Sequence, residues 1–174
     1  MLVEEHRLIE RIVNPMQVAK DRMSKTGTVD ANFIVLAIDF FRTYADKYHH
    51  GKEEGILFKA LSQKTISDKD SEMMVELTME HAYARKSVNT LENALKAYLA
   101  GNTEALNDIL NLLTVLAELY PKHIQKEDKQ FFYPSMEYFT KQEQEDMLTQ
   151  FLEFNFDFTN IKYRKIVESF EKML

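Results

Sequence analysis

Apolar positions along the chain recur at intervals of three and four residues, and no stretch keeps the period of two that a half-buried strand requires. The clearest stripe follows Asp30: Phe33, Ile34, Ala37, Ile38, Phe41, Tyr44, Ala45 and Tyr48 share one helix face. Asp30 itself suits the N-cap of that helix, because its carboxylate accepts from backbone amides that lack an intrahelical partner. The pattern predicts five helical segments. The first covers about residues 3–23 and is broken by MSKTGTVD, with Gly27 as the turn residue. The second is ANFIVLAIDFFRTYADKYHHGKEEGILFKAL, and SQKTISDKD separates it from a third at about 70–100, ended by Gly101. Asn102 or Thr103 is expected to cap a fourth that runs to about residue 133, with Pro134 near its end. Pro121 lies inside that helix and is expected to kink it or to free the carbonyl of Ala117. Thr140 with Glu143 reads as a capping box that opens the last segment, broken once before residue 174. Long helices with short connections pack as antiparallel neighbours. The expected fold is therefore all-α: an antiparallel up-down-up-down four-helix bundle over 1–138, with 139–174 as an additional C-terminal helical extension packed on the same domain.

Composition narrows the chemistry. A chain of 174 residues with 45% hydrophobic content can bury a sizeable core, and 4 Gly and 3 Pro are few for a many-turned β protein. The net charge of −6 and the lack of a basic stripe argue against nucleic acid as a partner. No apolar run is long enough to span a bilayer, and Glu4, Glu5, His6 and Arg7 interrupt any signal-like start, so the expectation is no membrane partner and a cytoplasmic location. The absence of Cys removes disulfides, thiol nucleophiles, Cys-type zinc sites and protein-ligated iron–sulfur clusters together. A metal in this chain has to be held by His, Asp, Glu or Tyr.

The histidines fall at matching heights in the bundle. His6 lies 21 residues before Gly27 and His49 lies 22 after it. His49 and His81 each stand 16 residues from position 65, and His81 and His123 each stand 21 from Asn102. At about 1.5 Å per residue, the four helices each bring one histidine to nearly the same level. An internal repeat adds to this. HHGKEEGILF (49–58) and HIQKEDKQFF (123–132) share the frame H-x-x-K-E-acid, ending in an apolar residue and Phe. In each, His and Glu stand four apart, as His49 with Glu53 and His123 with Glu127, so both lie on one helix face. Across the axis of a bundle the two carboxylates would meet in an apolar interior. They would repel or neutralise unless cations lay between them, and two divalent metals bridged by both carboxylates resolve the conflict.

With EEHRLIE around His6, HHGKEE, Glu80-His81, and HIQKED followed by FFYP, the chain resembles the hemerythrin-like family over roughly residues 1–138. The resemblance implies a non-haem di-iron centre, two Fe ions with a bridging oxo or hydroxo group, inside a four-helix bundle. It further implies His6 and His49 on one metal, His81 and His123 on the other, and Glu53 and Glu127 as bridging carboxylates. One position departs from the oxygen carriers of the family, which have a further histidine four residues after the third-helix ligand. Here that residue is Arg85, so the three-plus-two histidine count is not met by the usual residue. Arg85 is expected either to pair with a nearby carboxylate or to cap access to the site. His50 joins the candidate set as a fifth imidazole, since some relatives coordinate through the residue after the second-helix histidine. On an ideal α-helix it points about 100° from His49, toward the surface or a supporting place.

Glu54 and Asp128 read as a solvated face or as holders of ligand imidazoles, and Lys52 and Lys126 as exposed charges. Gly51 and Gly55, four apart, either admit a close neighbour or are simply tolerated. The expected function is binding of dioxygen, nitric oxide or peroxide at a di-iron site, for sensing, binding or iron and redox homeostasis. The alternative is a di-iron enzyme that reduces peroxide or nitric oxide, or donates iron for repair. A sensor would need a protein redox or signalling partner, or a movement of residues 141–174, because the chain has no second domain to carry an output. Zinc hydrolysis is a weaker reading, since H-E-x-x-H is absent, and ferritin-like iron oxidation lacks its paired E-x-x-H motifs.

Overall fold

Helix accounts for the fold, and no strand occurs among the described residues, which are 1–154 and 159–172 of this computed structural model. Helix α1 covers residues 2–26 in two stretches, Leu2–Arg11 and Val13–Thr26, that meet at Ile12. Helix α2 covers 31–61, α3 is Asp68–Leu99, and α4 covers 105–136. Two shorter helices follow, α5 (Lys141–Glu153) and α6 (Thr159–Glu171). The break expected in the last segment falls at 155–158, outside the described residues. No helix among the described residues is long and apolar enough to cross a membrane.

Local chemistry sets the helix ends. Gly27 closes α1 with a φ of 67°, a left-handed conformation that costs glycine little. Asp30 caps α2 by accepting from the Phe33 amide at 3.0 Å, and Ser67 caps α3 by accepting from the Asp70 amide at 3.1 Å. Thr140 and Glu143 form the reciprocal capping box of α5. The fourth helix departs from expectation. It starts at Ala105, and the Asn102 side chain accepts from the Glu104 amide in the turn before it rather than capping it. Helix α4 continues through Pro121, which lies on the exposed face.

Two of the helices are not α throughout. Helix α2 begins as α over Ala31–Asp39, widens to π over Phe40–His50 and again over Glu53–Phe58, and closes as α at Lys59–Leu61. Helix α4 widens to π at Glu127–Phe131, between α stretches Ala105–Lys126 and Phe132–Met136. In a π turn the amide bonds five residues back, which redirects the side chains it carries. The π turns fall on the two copies of the H-x-x-K-E motif.

The four long helices form a closed ring of neighbours: α1 packs on α2, α2 on α3, α3 along α4, and α4 back on α1. Two apolar clusters fill this bundle. The larger takes Ile9, Ile12 and Met16 from α1, Phe33 to Tyr48 from α2, Ala84 to Leu95 from α3 and Ile109 to Ile124 from α4. The smaller takes Leu2, then Leu57, Phe58 and Leu61, then Leu77, then Phe131 and Phe132, and is closed by Phe139, Met147 and Phe151. Helix α6 adds Tyr163, Val167 and Phe170 to the larger cluster. Each long helix thus crosses from one cluster to the other, and at the crossing it carries its histidine. Burial of one Leu or Phe side chain stabilises by about 1.5–3 kcal/mol, so the two cores together can offset a costly polar layer between them.

The two glycines of α2 have different neighbours. A Cβ at Gly51 would lie 2.9 Å from the ring of Phe154, at the end of α5, whereas a Cβ at Gly55 meets nothing within 4 Å. Gly55→Ala is therefore expected to stabilise the metal-free protein by about 0.5–1 kcal/mol in urea unfolding, the ordinary gain of Ala over Gly in a helix. Gly51→Ala is expected to give less or to destabilise, because the Phe154 ring has to move.

Candidate metal centre

The polar layer gathers His6 from α1, His49, His50 and Glu53 from α2, His81 from α3, and His123 and Glu127 from α4, all buried. Nitrogen and oxygen atoms within 4.8 Å of one another divide them into two groups, His6, His49, Glu53 and Glu127 in one, and His50, His81 and His123 in the other. The carboxylates of the first group also face imidazoles of the second. Glu53 places Oε1 3.1 Å from His49 Nε2 and Oε2 3.4 Å from His81 Nε2. Glu127 places Oε2 3.2 Å from both His6 and His123, and Oε1 3.7 Å from His81. None of these four oxygens accepts a well-formed hydrogen bond, although all are buried. Four orphaned carboxylate oxygens in a dry interior are costly by several kcal/mol unless something positive faces them.

The imidazoles point the same way. His6 Nδ1 meets Asp128 at 2.7 Å, His49 Nδ1 meets Glu5 at 2.9 Å, His81 Nδ1 meets Glu54 at 2.7 Å and His123 Nδ1 meets Glu80 at 2.9 Å. His50 Nδ1 faces Asp46 more loosely at 3.4 Å. A carboxylate at Nδ1 keeps the proton there, leaving the Nε2 lone pair as the inward donor. Two such pairs approach closely, His6 Nε2 with His49 Nε2 at 2.8 Å and His81 Nε2 with His123 Nε2 at 3.1 Å. Lone pairs at that distance repel unless a proton or a metal ion lies between them. The donor set, neutral imidazole plus carboxylate with every imidazole backed by an acid, fits divalent iron, manganese or zinc.

A further layer of cations holds the backing acids. Lys52 pairs with Glu5, Arg7 with Asp128, Lys126 with Glu80, and Arg85 with both Glu54 and Asp46. Lys52 is 0% exposed, which overturns its reading as a surface charge. Its ammonium rests 3.5 Å from the centre of the Tyr48 ring, a cation–π contact. Burial pushes the Lys52 ammonium pKa down, and Glu5 and Glu53 oppose the shift. Lys126 is half-buried between Glu76 and Glu80. Arg85 pairs with carboxylates, the first of its two expected roles. Glu54 and Asp128 hold imidazoles, and Glu5, Asp46 and Glu80 do the same; Glu5 and Glu80 back rings on other helices, where no spacing signal marks them, while Asp46 stands four residues before His50 on α2.

The position of His50 has a local cause. On an α-helix it would turn away from His49, yet it is buried, and its ring stacks on His81 at 3.8 Å between centroids with the planes 11° apart. The π segment that contains both residues widens the turn and carries the second imidazole inward. Phe132 stacks on His6 and Phe58 on His81, so the smaller apolar cluster forms one wall of the layer.

The family model of the hemerythrin HHE cation-binding domain matches residues 1–134. The fold and site define a metal-binding helical protein. The chain belongs to the hemerythrin HHE cation-binding family. No curated protein and no solved structure matches it significantly.

Without metal, protons take the place of cations. Burial lowers the His49 pKa, but the charge of Glu53 and the bond to Glu5 outweigh it and raise it to about 10. For His81, burial is outweighed by Glu127, Glu54 and Glu53, which raise it to about 9. Burial and the neighbouring imidazoles hold His50 well below the ordinary histidine range. Near neutral pH a metal therefore has to displace protons from His49 and His81. Divalent-metal affinity is expected to rise with pH through the neutral range and to level off only above about pH 10, once His49 and His81 have lost their protons, with net proton release on binding below that. Calorimetry in two buffers of different ionisation enthalpy measures that release.

Proposed function

We propose that this chain is a non-haem di-iron protein of hemerythrin-like type that meets dioxygen, nitric oxide or peroxide, for sensing, binding or iron and redox homeostasis. In this reading His6 and His49 serve one metal, His50, His81 and His123 serve the other, and Glu53 and Glu127 bridge the pair. The observation that carries it is the four buried oxygens of Glu53 and Glu127, which accept no hydrogen bond and lie between two imidazole groups. His50 restores a three-plus-two division of imidazoles that Arg85 would otherwise deny.

The same proposal includes the topology. Along α1 and α3 the small cluster precedes the histidine and the large one follows, while along α2 and α4 the order reverses. That alternation supports an up-down-up-down bundle over 1–138, with residues 139–174 as an extension on the same domain. A cytoplasmic setting belongs to the same proposal, and a protein redox or signalling partner completes a sensing role.

A bound iron pair would supply electrons and open coordination positions for a small oxidant or diatomic ligand. The chain's own residues have the other tasks. The backing acids keep each Nδ1 protonated and each ring oriented. Phe58, Phe132 and the large cluster exclude water, which strengthens every charge interaction in the layer.

Protein purified without oxygen is expected to hold two irons per chain and to develop a visible absorption band in air. Glu127→Gln is expected to lower the content below one iron per chain, measured by elemental analysis. Folded protein that stays metal-free after iron loading would contradict the reading. Rapid mixing with peroxide separates its branches, since sustained consumption identifies the enzyme alternative and a single stable spectral change identifies the binder.

A further inference from the structure

Arg85 stands one turn beyond His81 on α3. Its Nε donates to Asp46 Oδ1 at 2.7 Å and its Nη2 to Glu54 Oε1 at 2.8 Å. The same two oxygens face imidazoles, Asp46 Oδ1 toward His50 Nδ1 at 3.4 Å and Glu54 Oε1 toward His81 Nδ1 at 2.7 Å. Each oxygen is thus shared between one guanidinium nitrogen and one ring. Two parallel imidazoles 3.8 Å apart do not arrange themselves, because both present polar edges and similar charge distributions. Something outside them has to set their orientation, and both of their acids lead to one residue.

We propose that Arg85 is a positioning residue for the three-imidazole half of the cage, a single rigid fork that orients His50 and His81 through Asp46 and Glu54. The proposal rests on the metal-pair reading above. It explains why an arginine serves here. A planar guanidinium holds two acceptors in fixed directions, whereas a lysine ammonium is a point charge on a flexible stem and fixes neither. Arg85 also lines, with Phe41, Asp46, His50 and Tyr120, a cavity of about 30 Å³ beside His50, room for about one water. Shortening the side chain admits more water to that half alone.

The test is anaerobic titration with Mn(II), followed calorimetrically, together with the thermal midpoint of the metal-free protein. Arg85→Lys keeps the charge and loses the fork. It is expected to weaken one of two binding steps by about 10–100-fold, the usual effect of losing a partner that orients a ligand, and to leave the other step and the metal-free midpoint in place. Arg85→Ala is expected to weaken the same step at least as much, and Arg85→Lys carries the test alone if the Ala variant does not fold. Arg11→Lys is the control, since Arg11 also makes a two-nitrogen contact, to Glu171 on α6, away from this cavity. An Arg85→Lys protein with both steps as in wild type overturns the proposal. So does equal weakening of both steps with a lowered midpoint, which marks a merely structural arginine. Wild-type protein that takes up fewer than two metals removes the pair reading itself, and the proposal with it.

Discussion

Two glutamate side chains that no hydrogen bond satisfies, buried on facing helices, are the constraint around which this molecule is organised. Glu53 and Glu127 bring negative charge into a layer closed by apolar clusters on both sides, where water cannot screen it. Such a layer is tolerable only if positive charge occupies its centre, as protons on His49 and His81 or as metal ions. The rest follows from that demand. Imidazoles supply neutral donors, and acids behind them fix the tautomers. Lys52, Arg7, Lys126 and Arg85 balance the acids in turn.

This layering gives the protein a charge gradient rather than an isolated ligand set. Alternating signs from the centre outward let each group be partnered by the next, so a strongly polar layer survives inside a helical core. Lys52 shows how far the scheme extends, since a fully buried lysine is stable here only because Glu5 and the face of Tyr48 receive its charge. The C-terminal part of the chain joins the same region. Asn160 of α6 links the hydroxyls of Tyr44 and Tyr48, and Phe154 packs against Gly51 beside the imidazole pair.

Much of the site was readable because it depends on periodicity. Nearly equal residue counts around Gly27, position 65 and Asn102 placed His6, His49, His81 and His123 at about one level, and the repeated H-x-x-K-E frame marked Glu53 and Glu127. Helix boundaries at Asp30, Gly101 and Thr140 followed from capping chemistry. What periodicity could not show is where the helix departs from α. The π turns in α2 and α4 have no signature in the apolar spacing, and the one over Phe40–His50 carries the buried His50. Glu5 and Glu80 were unreadable for a related reason. An acid that backs an imidazole on another helix has no fixed sequence distance from it. Lys52 reads as a surface residue by type, and the pairing with Glu5 across 47 positions, together with the Tyr48 ring, accounts for its burial.

The central claim is that the two glutamates exist to hold a pair of cations between two imidazole groups. Anomalous diffraction at the iron edge, from crystals of iron-loaded protein, tests it most directly. The account expects two peaks per chain, both flanked by Glu53 and Glu127, one beside His6 and His49 and one beside His50, His81 and His123. A map with no peak inside this layer, or with iron only at surface carboxylates while the layer stays packed, would contradict it.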